Sequence, residues 1–153
     1  MITERKLSKI LKSKLVILRV SNIIGDKSKT KNLHSTFVDA FFRSAKKGII
    51  FNNKAQYKDF ISIEKFNEIM FQIIKRDLNG IYNVSIGRKI NTNSLIKWLN
   101  HYNIKNCKVK NIKKDQQSFY LNNNKLMKKI RIKNSVSDLK KYCLKLSKNS
   151  FSS

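Results

Sequence analysis

Residues Leu15-Val16-Ile17-Leu18-Arg19-Val20 form a nearly unbroken aliphatic and β-branched run, the feature that most restricts what this chain can fold into. Such a run suits a strand buried on both faces, as in a parallel sheet covered by helices, rather than the half-solvated strand of an alternating pattern. A second strand-like stretch, Ile81–Ile86, lies about sixty residues on, and a third lies near Cys107–Ile112. Helical periodicity fills the intervals. Residues 3–12 read as the end of a basic helix. Leu33–Lys47 carries Phe37, Phe41, Phe42 and Ala45 on one stripe and is stopped by Gly48. Short extended pieces are expected at Ile49–Phe51 and Lys58–Ile63, with a turn at Asn52-Asn53.

Ser62 can cap the next helix, whose face would be Ile63, Phe66, Met70, Ile73 and Ile74, and which ends at Asn79-Gly80. Asn91 to Asn93 opens a helix with Leu95, Ile96, Leu99 and Tyr102 inward. The last helix has a capping box, Ser135 with Asp138, ahead of Leu139, Tyr142, Cys143 and Leu146. Strands alternating with helices predict an α/β chain.

Charge adds little. The 34 Lys and Arg residues against 9 Asp and Glu give +25, which favours anionic partners. Yet Lys greatly outnumbers Arg, and Asn and Ile are abundant, the pattern of codon drift in an AT-rich genome. Two cysteines without Cys-x-x-Cys spacing point to a reducing, cytoplasmic setting. No apolar run is long enough for a membrane span, so no membrane association is expected.

Most catalytic constellations are excluded by inspection. The four glycines are isolated, so neither a G-x-G-x-x-G nor a P-loop is present. His34 and His101 have no ligand-spaced partners, which argues against a metal. The acids are scattered singly, and no Tyr is followed by Lys four residues later. No catalytic residue is assigned.

Three segments carry a resemblance. Leu15–Gly25, LVILRVSNIIG, is similar to a pattern in which a buried strand ends in Arg-x-x-Asn-x-x-Gly, here Arg19, Asn22 and Gly25. Gln56–Glu64, QYKDFISIE, resembles an Arg-Asp-Phe-Ile/Val-x-Val-x-Asp segment. Gly80–Gly87, GIYNVSIG, resembles a Gly-x-Tyr-Asn-x-Gly strand, and Tyr120–Leu126 resembles a closing segment before a helix. In this order they resemble the C-terminal, substrate-side portion of an extended short-chain dehydrogenase/reductase of the NAD-dependent epimerase/dehydratase group.

The resemblance implies a partial Rossmann-like parallel sheet, its late strands only, plus the small C-terminal substrate-binding α/β subdomain. Residues 1–48 would end the Rossmann-like part. Residues 49–153 would be the substrate-binding portion, with one strand, 81–86, returning to the sheet. Asn22 would bind the sugar nucleotide, with Ser21 beside the nicotinamide of NAD or NADP. Lys58 replaces the usual Arg against the diphosphate, and Glu64 replaces Asp. Tyr82 and Asn83 would be structural. The family's Gly-rich loop and Tyr-x-x-x-Lys pair are absent. Glu4 matches a family Glu that often lies four residues after that Lys, so the sequence is expected to begin just downstream of the catalytic pair.

The expected function is therefore nucleotide-sugar binding without turnover and without a coenzyme of its own. A separately encoded N-terminal half, or self-association through an exposed strand edge, would complete the sheet. Two alternatives stand beside it. One is a basic nucleic-acid-binding module using Lys125, Lys128, Lys129, Arg131 and Lys133, with Phe119 or Tyr120 stacking on bases; it is disfavoured because no such motif is legible. The other is a non-catalytic interaction subunit.

Overall fold

A computed structural model describes residues 2–11, 15–25, 36–52, 56–111 and 118–152. Helix α1 (Ile2–Leu11) precedes strands β1 (Val16–Val20) and β2 (Asn22–Ile24), then helix α2 (Phe37–Lys46) and strand β3 (Ile49–Asn52). Strands β4 (Tyr57–Lys58) and β5 (Phe60–Ser62) lead into helix α3 (Ile63–Lys75). Strand β6 (Gly80–Val84), strand β7 (Ile90–Asn91), helix α4 (Thr92–Leu99) and strand β8 (Lys108–Asn111) follow, and helices α5 (Asn124–Ile130) and α6 (Val136–Phe151) close the chain.

The strands pair across long sequence separations. β1 runs parallel to β6 from Val16 opposite Gly80 to Val20 opposite Val84. β2 is parallel to β5, and β3 to β8, whereas β4 and β7 are antiparallel. The chain is thus α/β, with parallel pairs joined by crossovers that contain helices.

Two cores result, and β5 is the wall between them. Successive strand residues point to opposite faces, so Phe60 joins a core with Ile24, Phe41, Leu95, Leu139 and Tyr142, while Ile61 joins one with Ile69, Tyr82, Val84 and Leu126. Helix ends are fixed by local chemistry. Ser62 caps α3 by accepting from the Lys65 N–H at 3.2 Å. The expected capping box on α6 forms in both directions, and a second, Thr36 with Asp39, starts α2.

Several expectations need correction. β1 is not buried on both faces: Val16 and Val20 are 37% and 38% exposed, because β6 is the strand paired with β1 among the described residues. The α2 stripe is Val38, Phe41 and Ala45, with Phe42 partly buried, and Phe37 is exposed in the first turn. On α3 the buried residues are Ile69 and Ile73, and Ile74 faces solvent at 73% exposure. Tyr102 lies beyond the last turn of α4 and is exposed. The extended piece expected over Lys58–Ile63 is two strands that break at Asp59, and β6 ends at Val84, two residues early. Helix α5 begins at Asn124 and so already contains Leu126, the end of the segment expected to precede a helix. His34, Asn53, and the start of the helix expected from Leu33 lie outside the described residues.

Candidate functional site

The break at Asp59 organises the region where the expected binding residues meet. Asp59 is fully buried, with no exposed surface. One of its carboxylate oxygens, Oδ2, accepts the backbone N–H of Gly87 and that of Leu121, each at 3.1 Å. Burial pushes its pKa up, and this outweighs the opposing effect of bonds from Leu121, Ser85, Gly87 and Ile86. The second carboxylate oxygen has no hydrogen-bond partner among the described residues.

The backbone around Asp59 holds the strand tip. Asn22 donates to the Asp59 carbonyl twice, from its backbone N–H at 3.3 Å and from Nδ2 at 2.9 Å. Asn22 is therefore tied to the residue that follows Lys58, with the register Asn22 opposite Phe60. Lys58 is partly buried on β4 and stands opposite Ile90. Ser21, between β1 and β2, donates its N–H to the Val84 carbonyl at 3.0 Å. Its side chain is buried, and Oγ has no partner among the described residues.

The flanking residues have structural jobs. Arg19 forms a two-armed contact with Glu4, Nε to Oε1 at 3.0 Å and Nη2 to Oε2 at 2.7 Å, which fastens α1 beside β1. The guanidinium holds the Glu4 carboxyl below its usual range. Tyr82 is buried in the second core under Lys125, whose Nζ lies 4.8 Å from the ring centroid. Asn83 donates from Nδ2 to the Asn122 carbonyl at 2.7 Å. Lys125, one of the cations considered for phosphate tracking, also donates to the Ile81 carbonyl at 3.0 Å.

The sequence reading brought Ser21, Asn22 and Lys58 forward, and the structure places them around one junction. It missed Asp59, the acid at the junction. The available signal was an aspartate directly before the strand-like segment Phe60 to Ile63, where burial demands partners. A cavity of about 580 Å³ opens beside Gly87 and does not reach Ser21, Asn22 or Lys58. Among the described residues no group of three or more His, Cys, Asp and Glu could hold a metal, and no helix is long and apolar enough to cross a membrane.

Comparison with known proteins bears on the fold. No protein-family model and no curated protein matches the sequence. Among solved structures, the chain is similar to a UDP-N-acetylglucosamine 4-epimerase from Methanobrevibacter ruminantium, in complex with UDP-N-acetylmuramic acid, at 18% identity and TM-score 0.76. That match covers 96% of this chain and 49% of the epimerase. WbmG from Bordetella bronchiseptica, in complex with NAD and UDP, matches at 18% identity and TM-score 0.70, over 96% of this chain and 47% of that one. A dTDP-glucose 4,6-dehydratase from Bacillus anthracis, in complex with NAD, matches at 9% identity and TM-score 0.73, over 99% of this chain and 51% of the dehydratase. The chain spans about half the length of each, and at these identities the likeness establishes the fold. Over that half, it shares the α/β fold of these epimerase and dehydratase structures.

Proposed function

We propose that these residues form the substrate-side wall of an NAD(P)-dependent nucleotide-sugar epimerase, dehydratase or reductase of the cytoplasm. Residues 1–48 close its Rossmann-like part and residues 49–153 make its substrate-binding portion. The observation that carries this reading is the Asn22–Asp59 junction, which sets a carboxamide next to the residue following Lys58.

In this reading the bond from Asn22 Nδ2 to the Asp59 carbonyl orients the carboxamide, Oδ1 accepts from a sugar hydroxyl, and the second Nδ2 hydrogen donates to a phosphate oxygen. Lys58 neutralises the diphosphate as a point charge, without the two-armed fork of an Arg. Ser21 stands beside the nicotinamide, and its buried Oγ, without a partner among the described residues, fits a polar neighbour there. The coenzyme supplies hydride transfer when bound. Holding its pyrophosphate takes a Gly-rich turn at a helix N-terminus, and proton transfer takes a positioned acid/base. Residues 1–153 carry neither the Gly-rich turn nor the Tyr-x-x-x-Lys pair. In this reading those groups lie outside residues 1–153, which alone bind without turnover.

The test is a titration of UDP-N-acetylglucosamine and UDP into the 153-residue protein, followed by NMR at the Asn22 side-chain amide. Binding should weaken at least fivefold in Lys58→Ala. Turnover with NAD(P) should appear only after a chain carrying the dinucleotide-binding half is added. Turnover by residues 1–153 alone, or binding indifferent to Lys58→Ala, overturns the reading.

A further inference from the structure

We propose that the cavity beside Gly87 is a second ligand site, for a small phosphorylated polyol of hexose-phosphate size. It is distinct from the Asn22–Lys58 wall and does not depend on the function proposed for that wall. Its volume of about 580 Å³ falls within the range of small-molecule pockets.

The lining sets the chemistry. Arg88 and Lys89 follow Gly87 directly, and both are exposed at the cavity. Lys89 Nζ lies 5.8 Å from the centroid of the Tyr120 ring, which gives the cation a defined place on the rim. No carboxylate lines the cavity among the described residues, so nothing there neutralises the two cations. The remaining polar wall is carboxamide. Asn123 and Asn134 both donate from Nδ2 to the Ser85 carbonyl, at 2.7 and 2.9 Å, and Asn122 Oδ1 accepts from the Asn124 N–H at 3.0 Å. Those bonds fix the amide planes before a ligand arrives, which lowers the entropy lost on binding. Two cations suit a phosphate dianion, since an Arg fork can take two oxygens at once. Held carboxamides suit neutral hydroxyls, as donors and acceptors together. A bare anion would use only the rim, and a neutral sugar only the wall.

The geometry of Gly87 keeps the site open. At φ +75° it adopts a conformation that side chains rarely tolerate, and an added Cβ would lie 2.6 Å from Asn123 Oδ1. The Gly87 N–H is held by the Asp59 carboxylate, so the floor of this cavity and the backbone next to Lys58 share one anchor.

The chain's +25 charge would attract any anion weakly, and the experiment must separate that background from a site. Glucose 1-phosphate, inorganic phosphate and glucose are titrated separately into the 153-residue protein and followed by NMR. Three proteins are compared: the unaltered chain, the pair Arg88→Glu with Lys89→Glu, and the pair Lys140→Glu with Lys141→Glu on α6, whose net charge is the same. Glucose 1-phosphate should bind at least tenfold more tightly than either phosphate or glucose, with shifts at Gly87 and the Asn123 and Asn134 side chains. The Arg88/Lys89 pair should abolish at least nine-tenths of that affinity, and the Lys140/Lys141 pair should change it less than twofold. If the charge reversal unfolds the protein, Arg88→Gln with Lys89→Gln replaces it, with the same expectation. Equal losses in the two charge-reversed proteins, or equal binding of phosphate and glucose 1-phosphate, overturn the proposal.

Discussion

The Asp59 carboxylate accepts the Gly87 backbone N–H at 3.1 Å and, through the same oxygen, the Leu121 N–H. One buried acid thereby ties three segments that are distant in sequence. Removing it in Asp59→Ala leaves two partly buried N–H groups without that acceptor, each costing about 1–3 kcal/mol. We expect Asp59→Ala to lose roughly 2–5 kcal/mol in urea unfolding at pH 7. Asp59→Asn keeps one acceptor oxygen and should stay within about 1 kcal/mol of the parent. The pH dependence separates these effects. Burial raises the folded pKa of Asp59, so its contribution is fully present below the unfolded value and is lost as pH rises through the folded one. The stability of the parent relative to Asp59→Asn should therefore fall as pH climbs from about 4 toward neutrality. A difference that grows with pH would refute the assignment.

Helix α6 depends on its first turn. Ser135 Oγ accepts from the Asp138 N–H at 3.2 Å, and Asp138 Oδ2 accepts from the Ser135 N–H at 3.2 Å and from its hydroxyl at 2.7 Å. Ser135→Ala should cost about 1 kcal/mol. The hydrogen bond from Ser135 holds the Asp138 carboxyl below its usual range. Its contribution is thus present above the unfolded pKa and lost as pH falls through the lower folded value. The gap between the unfolding curves of the parent and Ser135→Ala should narrow in strong acid, leaving the part due to the Asp138 N–H bond to Ser135 Oγ.

Local rules explain how much of this was legible. The aliphatic run Leu15–Val20 gave β1, and the stretch Ile81–Ile86, with Tyr82, Val84 and Ile86 on alternate positions, gave β6. Ser62 and Ser135 announced two helix starts, because capping needs only residues close in sequence. Burial was harder to read, because it depends on what covers each face. Ile74 follows the periodicity of α3 yet points to solvent, and Ile69 completes the core instead. For the candidate site, only the segments could be read from sequence. Ser21, Asn22 and Lys58 sit in recognisable segments, but Asp59 acquires its importance from Gly87 and Leu121, which lie 28 and 62 residues away.

Lys58 offers a test by gain as well as loss. If it faces a diphosphate, Lys58→Arg supplies five donors in a planar fork that matches phosphate oxygens. UDP should then bind about threefold to tenfold more tightly by calorimetry, roughly 0.7–1.4 kcal/mol. A solvated lysine on β4 would show no difference between Lys, Arg and Ala at this position.

The cysteines should react unequally. Cys143 is fully buried in the first core, and burial pushes its thiol pKa up to about 12. Cys107 is only partly buried, beside the Asn103 Nδ2 at 3.3 Å. A thiolate-seeking reagent at pH 8 should modify Cys107 first and reach Cys143 only through unfolding. The Cys143 labelling rate, followed by mass spectrometry across a urea series, should track the unfolded fraction. Equal rates for both thiols in buffer would contradict the packing of α6 against α4.

The outer side of β1 has the largest consequence for the protein in solution. Val16 and Val20 are more than a third exposed, and Ile81 on the paired strand is exposed to the same degree. β6 satisfies one edge of β1, and no strand covers the other edge among the described residues. An apolar strand with an open ladder pairs readily with another chain. Residues 1–153 alone should therefore sediment as a concentration-dependent mixture. Val20→Lys should shift that mixture toward monomer, because a charged side chain on an edge strand opposes pairing by staying hydrated. Addition of polypeptide that completes the sheet should protect the β1 amides from hydrogen exchange. A well-dispersed monomer at high concentration, with its β1 amides already slow to exchange, would mean that this edge is satisfied within the chain.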